Sequence, residues 1–146
     1  MLASGTSAAD GSFSITVPVE LNNSSTLAVH AVDALGNISS CSKFLTYTHD
    51  DQDPTPPTIT GTNPISPANS TTPNVLGIAE PNSTVEIHTG SGCSGPLLGI
   101  GTADSGAAFS NPISVQPNTS TPLFARAIDG AGNDPDCSSG IFYTHE

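Results

Sequence analysis

The chain has 146 residues, of which 10% are charged, and Lys43 and Arg126 are its only basic residues, so the net charge at pH 7 is −11. That balance argues against a nucleic-acid ligand, whose affinity rests on a basic footprint, and against binding to an anionic membrane surface. No apolar run is long enough to span a bilayer.

Taken in order, residues 5–50 read as two or three strands. Ser12 to Val19 places Phe13, Ile15, Val17 and Val19 on one face. Asn22, Asn23, Ser24 and Ser25 form a turn cluster. Thr26 to Asp33 alternates again, with Leu27, Val29 and Ala31 on one side. Asp33-Ala-Leu-Gly-Asn37 then turns the chain, because an Asp there accepts backbone N–H groups ahead of it and Gly and Asn tolerate positive φ. Lys43 to Thr48 closes this part as a last strand. Residues 51–57 follow as an acidic, proline-rich linker, extended and stiff because its prolines fix φ and lack N–H donors.

From residue 58 the same grammar continues. Strands are expected over 58–60, 75–79, 84–88, 97–103, 107–115, 123–129 and 141–144. Pro, Ser and Asn crowd the connection at 63–73, and Gly90 to Gly95 marks a hairpin tip. No stretch carries the 3.6-residue period of a helix.

The turn at Asp33 occurs a second time at Asp129, 96 positions later. At that offset residues 5–50 align with 101–146 without a gap and share 17 identities, which unrelated segments would not do. The chain is therefore read as one complete module over 58–146, preceded over 1–50 by the C-terminal half of another copy. On this reading the sequence is an excerpt from a larger secreted chain.

Three cysteines leave one over. Cys41 and Cys137 are equivalent in the repeat, and the equivalent of Cys93 would fall before Met1. The pairing expected from that register is Cys93 with Cys137, and a disulfide points outside the cytosol. A metal site is the weaker alternative, because no CxxC or CxxH spacing is present.

Many short strands with turn signals between them read as a β-sandwich or barrel. The segments Gly77-Ile-Ala-Glu-Pro-Asn-Ser-Thr-Val85, Gly101-Thr-Ala-Asp104 with Phe109, and Ala127-Ile-Asp-Gly-Ala-Gly-Asn133 before Cys137 resemble bacterial immunoglobulin-like repeats, found in tandem in large secreted and surface-attached proteins. The resemblance implies an all-β, immunoglobulin-like sandwich located extracellularly or at the cell surface. The strand Trp of antibody-type domains is missing, and neither Tyr occupies a tyrosine corner.

In such a sandwich the loop before the last strand lies at the pole where the chain enters. That would gather Asp129, Asp134 and Asp136 near Asp50, Asp51 and Asp53, a set of oxygen ligands suited to calcium, which resembling repeats use to stiffen their junctions. Against this, the first copy has Ile38 and Ser40 where the second has Asp134 and Asp136, and Asp129 has a turn of its own to cap.

No catalytic pattern is present: there is no GxSxG, no phosphate-binding loop, no HExxH and no EF-hand loop. His49 and His145 recur at one module position and are read as closing the last strand. His30 and Arg126 are read as solvated, and Glu80 with Glu86 as too separated for acid–base work. The expected function is a non-catalytic structural spacer, or stalk, whose partners are neighbouring modules. The alternatives are an adhesin-type module that contacts glycan or protein, and an accessory domain of a secreted hydrolase. The half module has an apolar face it cannot cover alone. A second module, another chain through homodimerisation, or an upstream half are its possible covers.

Overall fold

Apolar–polar alternation without a helical period produces an all-β chain whose only helical element, among the described residues, is a three-residue 3-10 turn at Ser91–Cys93. The computed structural model describes residues 2–146. The strands are β1 Ser24–Leu27, β2 Leu45–Thr48, β3 Thr58–Asn63, β4 Asn74–Ile78, β5 Thr84–His88, β6 Leu97–Thr102, β7 Ala108–Pro112, β8 Ser120–Ile128 and β9 Ile141–Thr144. The chain divides after Asp51 into two units. The second unit begins at Gln52, and Pro54 and Pro57 are buried, so the proline segment is not a fully solvated spacer.

The second unit holds two antiparallel sheets, ordered β3-β4-β7 and β6-β5-β8-β9. Both contribute to a single buried cluster, an arrangement consistent with a β-sandwich. The alternation is clean along β8: Leu123, Ala125 and Ala127 point in, while Phe124, Arg126 and Ile128 point out. Val85 and Ile87 of β5 stand beside Ala127 and Ala125 on the same inner face, and burying side chains of their size stabilises by about 1.5–3 kcal/mol each. Gly77 of β4 lies directly under the Phe109 ring, where any Cβ would collide with that ring and with the Thr58 carbonyl. Asn111 of β7 is buried and donates from Nδ2 to the Val85 carbonyl at 2.9 Å, tying one sheet to the other.

The connection between β3 and β4 covers the free edge of β9. Ala68 donates to the Thr144 carbonyl, Glu146 donates to the Ala68 carbonyl, and Thr144 donates to Ser66 Oγ. Such a cover removes an edge that would otherwise pair with another chain. Beneath it, Tyr143 is buried and its hydroxyl donates to the Ser70 carbonyl at 2.8 Å. Tyr143 thus closes a loop much as a corner tyrosine does, a role that its position near the chain end does not suggest.

The first unit repeats the back part of the second at the level of individual hydrogen bonds. In β1–β2 the register runs from Ser24↔Thr48 to Leu27↔Leu45, and in β8–β9 from Ser120↔Thr144 to Leu123↔Ile141. Val29 donates to Ser42 Oγ as Ala125 does to Ser138 Oγ, and Asn22 donates to His49 Nδ1 as Asn118 does to His145 Nδ1. The two histidines therefore fasten the start of one strand to the end of the next.

Two expected strands are corrected here. Residues 12–19 form no strand, and the strand expected over 26–33 is confined to β1 plus an isolated bridge between Val32 and Ile38. The reason is a missing neighbour. Residues 108–112 are held in β7 by β4, and residues 124–128 of β8 by β5. The described part of the first unit has no equivalent of β4 or β5, so the matching residues have no strand to pair with on that edge. The same lack leaves the inner face uncovered: Phe13 is 57% exposed against 4% for Phe109, and Tyr47 46% against 0% for Tyr143.

These two tyrosines give a paired test. Tyr143→Phe should lower the stability of the second unit by roughly 1 kcal/mol, the ordinary value of a lost buried hydrogen bond, in urea denaturation. Tyr47→Phe should leave the transition where it was. Equal effects would mean that the Tyr143 hydroxyl is not closing the loop.

Candidate functional site

The best-organised polar region lies on the outer face of the four-stranded sheet, between β5, β8 and the two loops that follow them. Pairing of β5 with β8 sets Glu86 opposite Arg126. Arg126 donates from Nε to Glu86 Oε2 at 2.8 Å and from Nη1 to Asp134 Oδ2 at 2.7 Å. His88 is two residues beyond Glu86 on the same face; its Nε2 is 3.2 Å from Glu86 Oε2 and its Nδ1 is 2.9 Å from the Gly95 carbonyl. The 3-10 turn at Ser91–Cys93 packs against β8, and His88 is buried.

The disulfide fixes this turn. Cys93 and Cys137 are bonded, with their Cα atoms 5.7 Å apart. A hairpin tip and the start of the last strand are expected at opposite ends of a sandwich, a demand that would forbid the bond. The demand disappears because the β8–β9 connection returns alongside β8, with Ser138 already paired to Ala125, so that Cys137 sits at mid-sheet. Closing a loop of 44 residues stabilises by roughly 4 kcal/mol in the chain-entropy account. Cys41, the equivalent of Cys137, is a free and exposed thiol.

The electrostatics of the cluster close on themselves. Partial burial raises the Glu86 pKa, but the hydrogen bonds from Arg126 and His88 and the charge of Arg126 outweigh it, and the net shift is downward. The hydrogen bond to Glu86 is the main reason that the Arg126 pKa rises, against a smaller desolvation effect. Each charge thus has a partner inside the cluster, and the arrangement acts as a clasp that ties two strands and two loops together.

The expected calcium ligands are placed as follows. Asp129 Oδ1 accepts the backbone N–H groups of Ala131, Gly132 and Asn133, and Oδ2 accepts Asn133 Nδ2. Asp33 Oδ1 likewise accepts the backbone N–H groups of Leu35 and Asn37, and Oδ2 accepts Asn37 Nδ2. Asp134 is engaged by Arg126, and Asp136 is exposed. Asp50, Asp51 and Asp53 are exposed, and the backbone N–H of Asp51 donates to Asn22 Oδ1. Among the described residues, no group of three or more His, Cys, Asp or Glu is arranged to hold a metal ion.

Sequence reasoning placed Glu86 correctly on an outer face but took Arg126 as solvated and missed the cluster. The spacing of Glu86 and His88 could have shown that they share a face; their union with Arg126 needs the strand register, which no local pattern carries. No family model matches the chain, and no curated protein matches it.

The Asp turns give a pH test. The Asn133 side-chain hydrogen bond is the largest cause that lowers the Asp129 pKa; desolvation opposes it and the backbone bonds aid it, and Asn37 plays the same part for Asp33. A lowered folded-state pKa means that the contribution is complete above the unfolded value and is lost as pH falls through the folded one. NMR titration of the Asn37 and Asn133 amides should therefore show both turns loosening with midpoints below the ordinary aspartate value of 3.8. Midpoints at or above that value would remove the capping role.

Proposed function

We propose that the chain is a non-catalytic structural spacer from a large extracellular or cell-surface bacterial protein, built from immunoglobulin-like modules in tandem. The observation that carries this reading is the recurrence, 96 positions apart, of one turn, one strand pairing and one set of side-chain caps in two successive units. Arrays of similar units joined in series set a distance between the domains they connect. The Cys93–Cys137 bond supports an oxidising compartment. Seven strands divided three and four support the immunoglobulin-like assignment, although the fourth strand, β6, joins the sheet of β5 where constant-type domains place it in the other sheet.

A spacer must hold its length under tension, and force spectroscopy tests this directly. Pulled from its ends under oxidising conditions, the second unit should resist and then extend in one event that excludes the residues enclosed by the disulfide. Reductant should lengthen that event by roughly 15 nm, at about 3.5 Å for each of the 44 residues released. Extension without resistance would contradict the spacer reading, and saturable binding of the folded chain to a glycan or protein would favour an adhesin instead.

A further inference from the structure

We propose that the exposed apolar face of the first unit is a docking surface for one kind of partner: a β segment with the chemistry of residues 54–96 of this chain. The proposal does not depend on the spacer reading, because it rests only on the congruence of the two units.

The second unit shows what covers this face. There, residues 97–146, equivalent to residues 1–50, supply β7 to one sheet and β6, β8 and β9 to the other, and β3, β4 and β5 complete the two sheets. β4 pairs with β7, and β5 lies between β6 and β8. Transferred by the offset of 96, these registers specify the complex. The position of Gly77 falls opposite Phe13, as Gly77 lies opposite Phe109. The positions of Val85, Glu86 and Ile87 fall opposite Ala31, His30 and Val29, as they lie opposite Ala127, Arg126 and Ala125.

The face is selective in three ways. Phe13 demands a residue without a Cβ opposite it, because Gly77 is the only kind of residue that fits under the matching ring. Tyr47 needs a backbone carbonyl where Tyr143 finds Ser70. Val29 and Ala31 are bonded to residues 39–42 on one edge, so the opposite edge, at Ala28 and His30, needs an antiparallel strand, which a generic apolar ligand does not supply. A second copy paired edge to edge through β1 or β2 would satisfy backbone groups but leave Phe13 and Tyr47 in water.

Cys41 reports the docking. It stands where Cys137 stands, so a docked segment brings its own residue 93 within bonding distance of it. If the segment carries Cys93 as a mixed disulfide with glutathione, the Cys41 thiolate attacks the Cys93 sulfur. One S–S bond forms, the bond to glutathione breaks, and glutathione leaves as the thiolate with no net oxidation.

The test mixes the full chain with a synthetic segment of residues 54–96 carrying glutathione on Cys93. One segment should join each chain at Cys41, faster by roughly tenfold or more than a scrambled segment of the same composition, because docking raises the effective concentration. Val29→Asp should erase that advantage and leave the reaction of Cys41 with glutathione disulfide unchanged. Equal rates for the two segments, linkage at Cys137 in place of Cys41, or a stable homodimer that blocks the segment would overturn the proposal. A second arm covers a segment that does not remain soluble: residues 54–96 are placed directly before residue 1 in the same chain. Residues 12–32 should then gain slow amide exchange, and Cys41 should become disulfide-bonded. A fused chain with Cys41 free and exchange unchanged overturns the proposal by itself.

Discussion

A strand is held by neighbours on both edges and by cover on its apolar face, and in this chain the fate of nearly every segment follows from whether β5 is there to provide them. β5 pairs with β6 on one side and β8 on the other, and it sends Val85 and Ile87 into the core. With it, β8 runs for nine residues; its counterpart β1 stops after four, at the point where pairing with β2 ends and β5 would have to take over. The local chemistry of the two stretches is nearly the same, so the difference is one of partners and not of propensity.

The features that persist without β5 are those built from short-range contacts. The Asp33 and Asp129 turns share the bonds to the residues two and four positions on, although one turn belongs to a covered sheet and the other does not. An aspartate that gathers two or three backbone N–H groups needs only its own five-residue segment to do so. The returning connection after each turn is likewise fixed by a serine, Ser42 or Ser138, bonded to the strand just left. In the second unit that return brings Cys137 to mid-sheet and makes its bond with Cys93 possible. The clasp of Glu86, His88, Arg126 and Asp134 then sits beside a loop that the disulfide has already anchored.

Much of this was legible in the sequence. The strands at 84–88 and 141–144 and the disulfide partners follow from alternation and from the repeat register. What was not legible depends on pairing across long separations. Ser12 to Val19 alternates well, yet alternation shows only that a strand could form, and no partner is there to hold it. Arg126 reads as a solvated outer-face residue until register sets it opposite Glu86. Tyr143 lies three residues from Glu146, and the carbonyl it reaches is 73 positions earlier, too far for any local pattern to announce.

Amide hydrogen exchange on the intact chain tests the partner-dependence account most directly. The amides of Phe124 and Arg126 face β5, whereas those of Ala28 and His30, their equivalents, face no strand. The account requires Phe124 and Arg126 to exchange orders of magnitude more slowly than Ala28 and His30, while Asn37 and Asn133 in the two Asp turns are protected to a similar degree. Protection of Ala28 and His30 equal to that of Phe124 and Arg126 would contradict it, because strand order would then come from the local sequence alone.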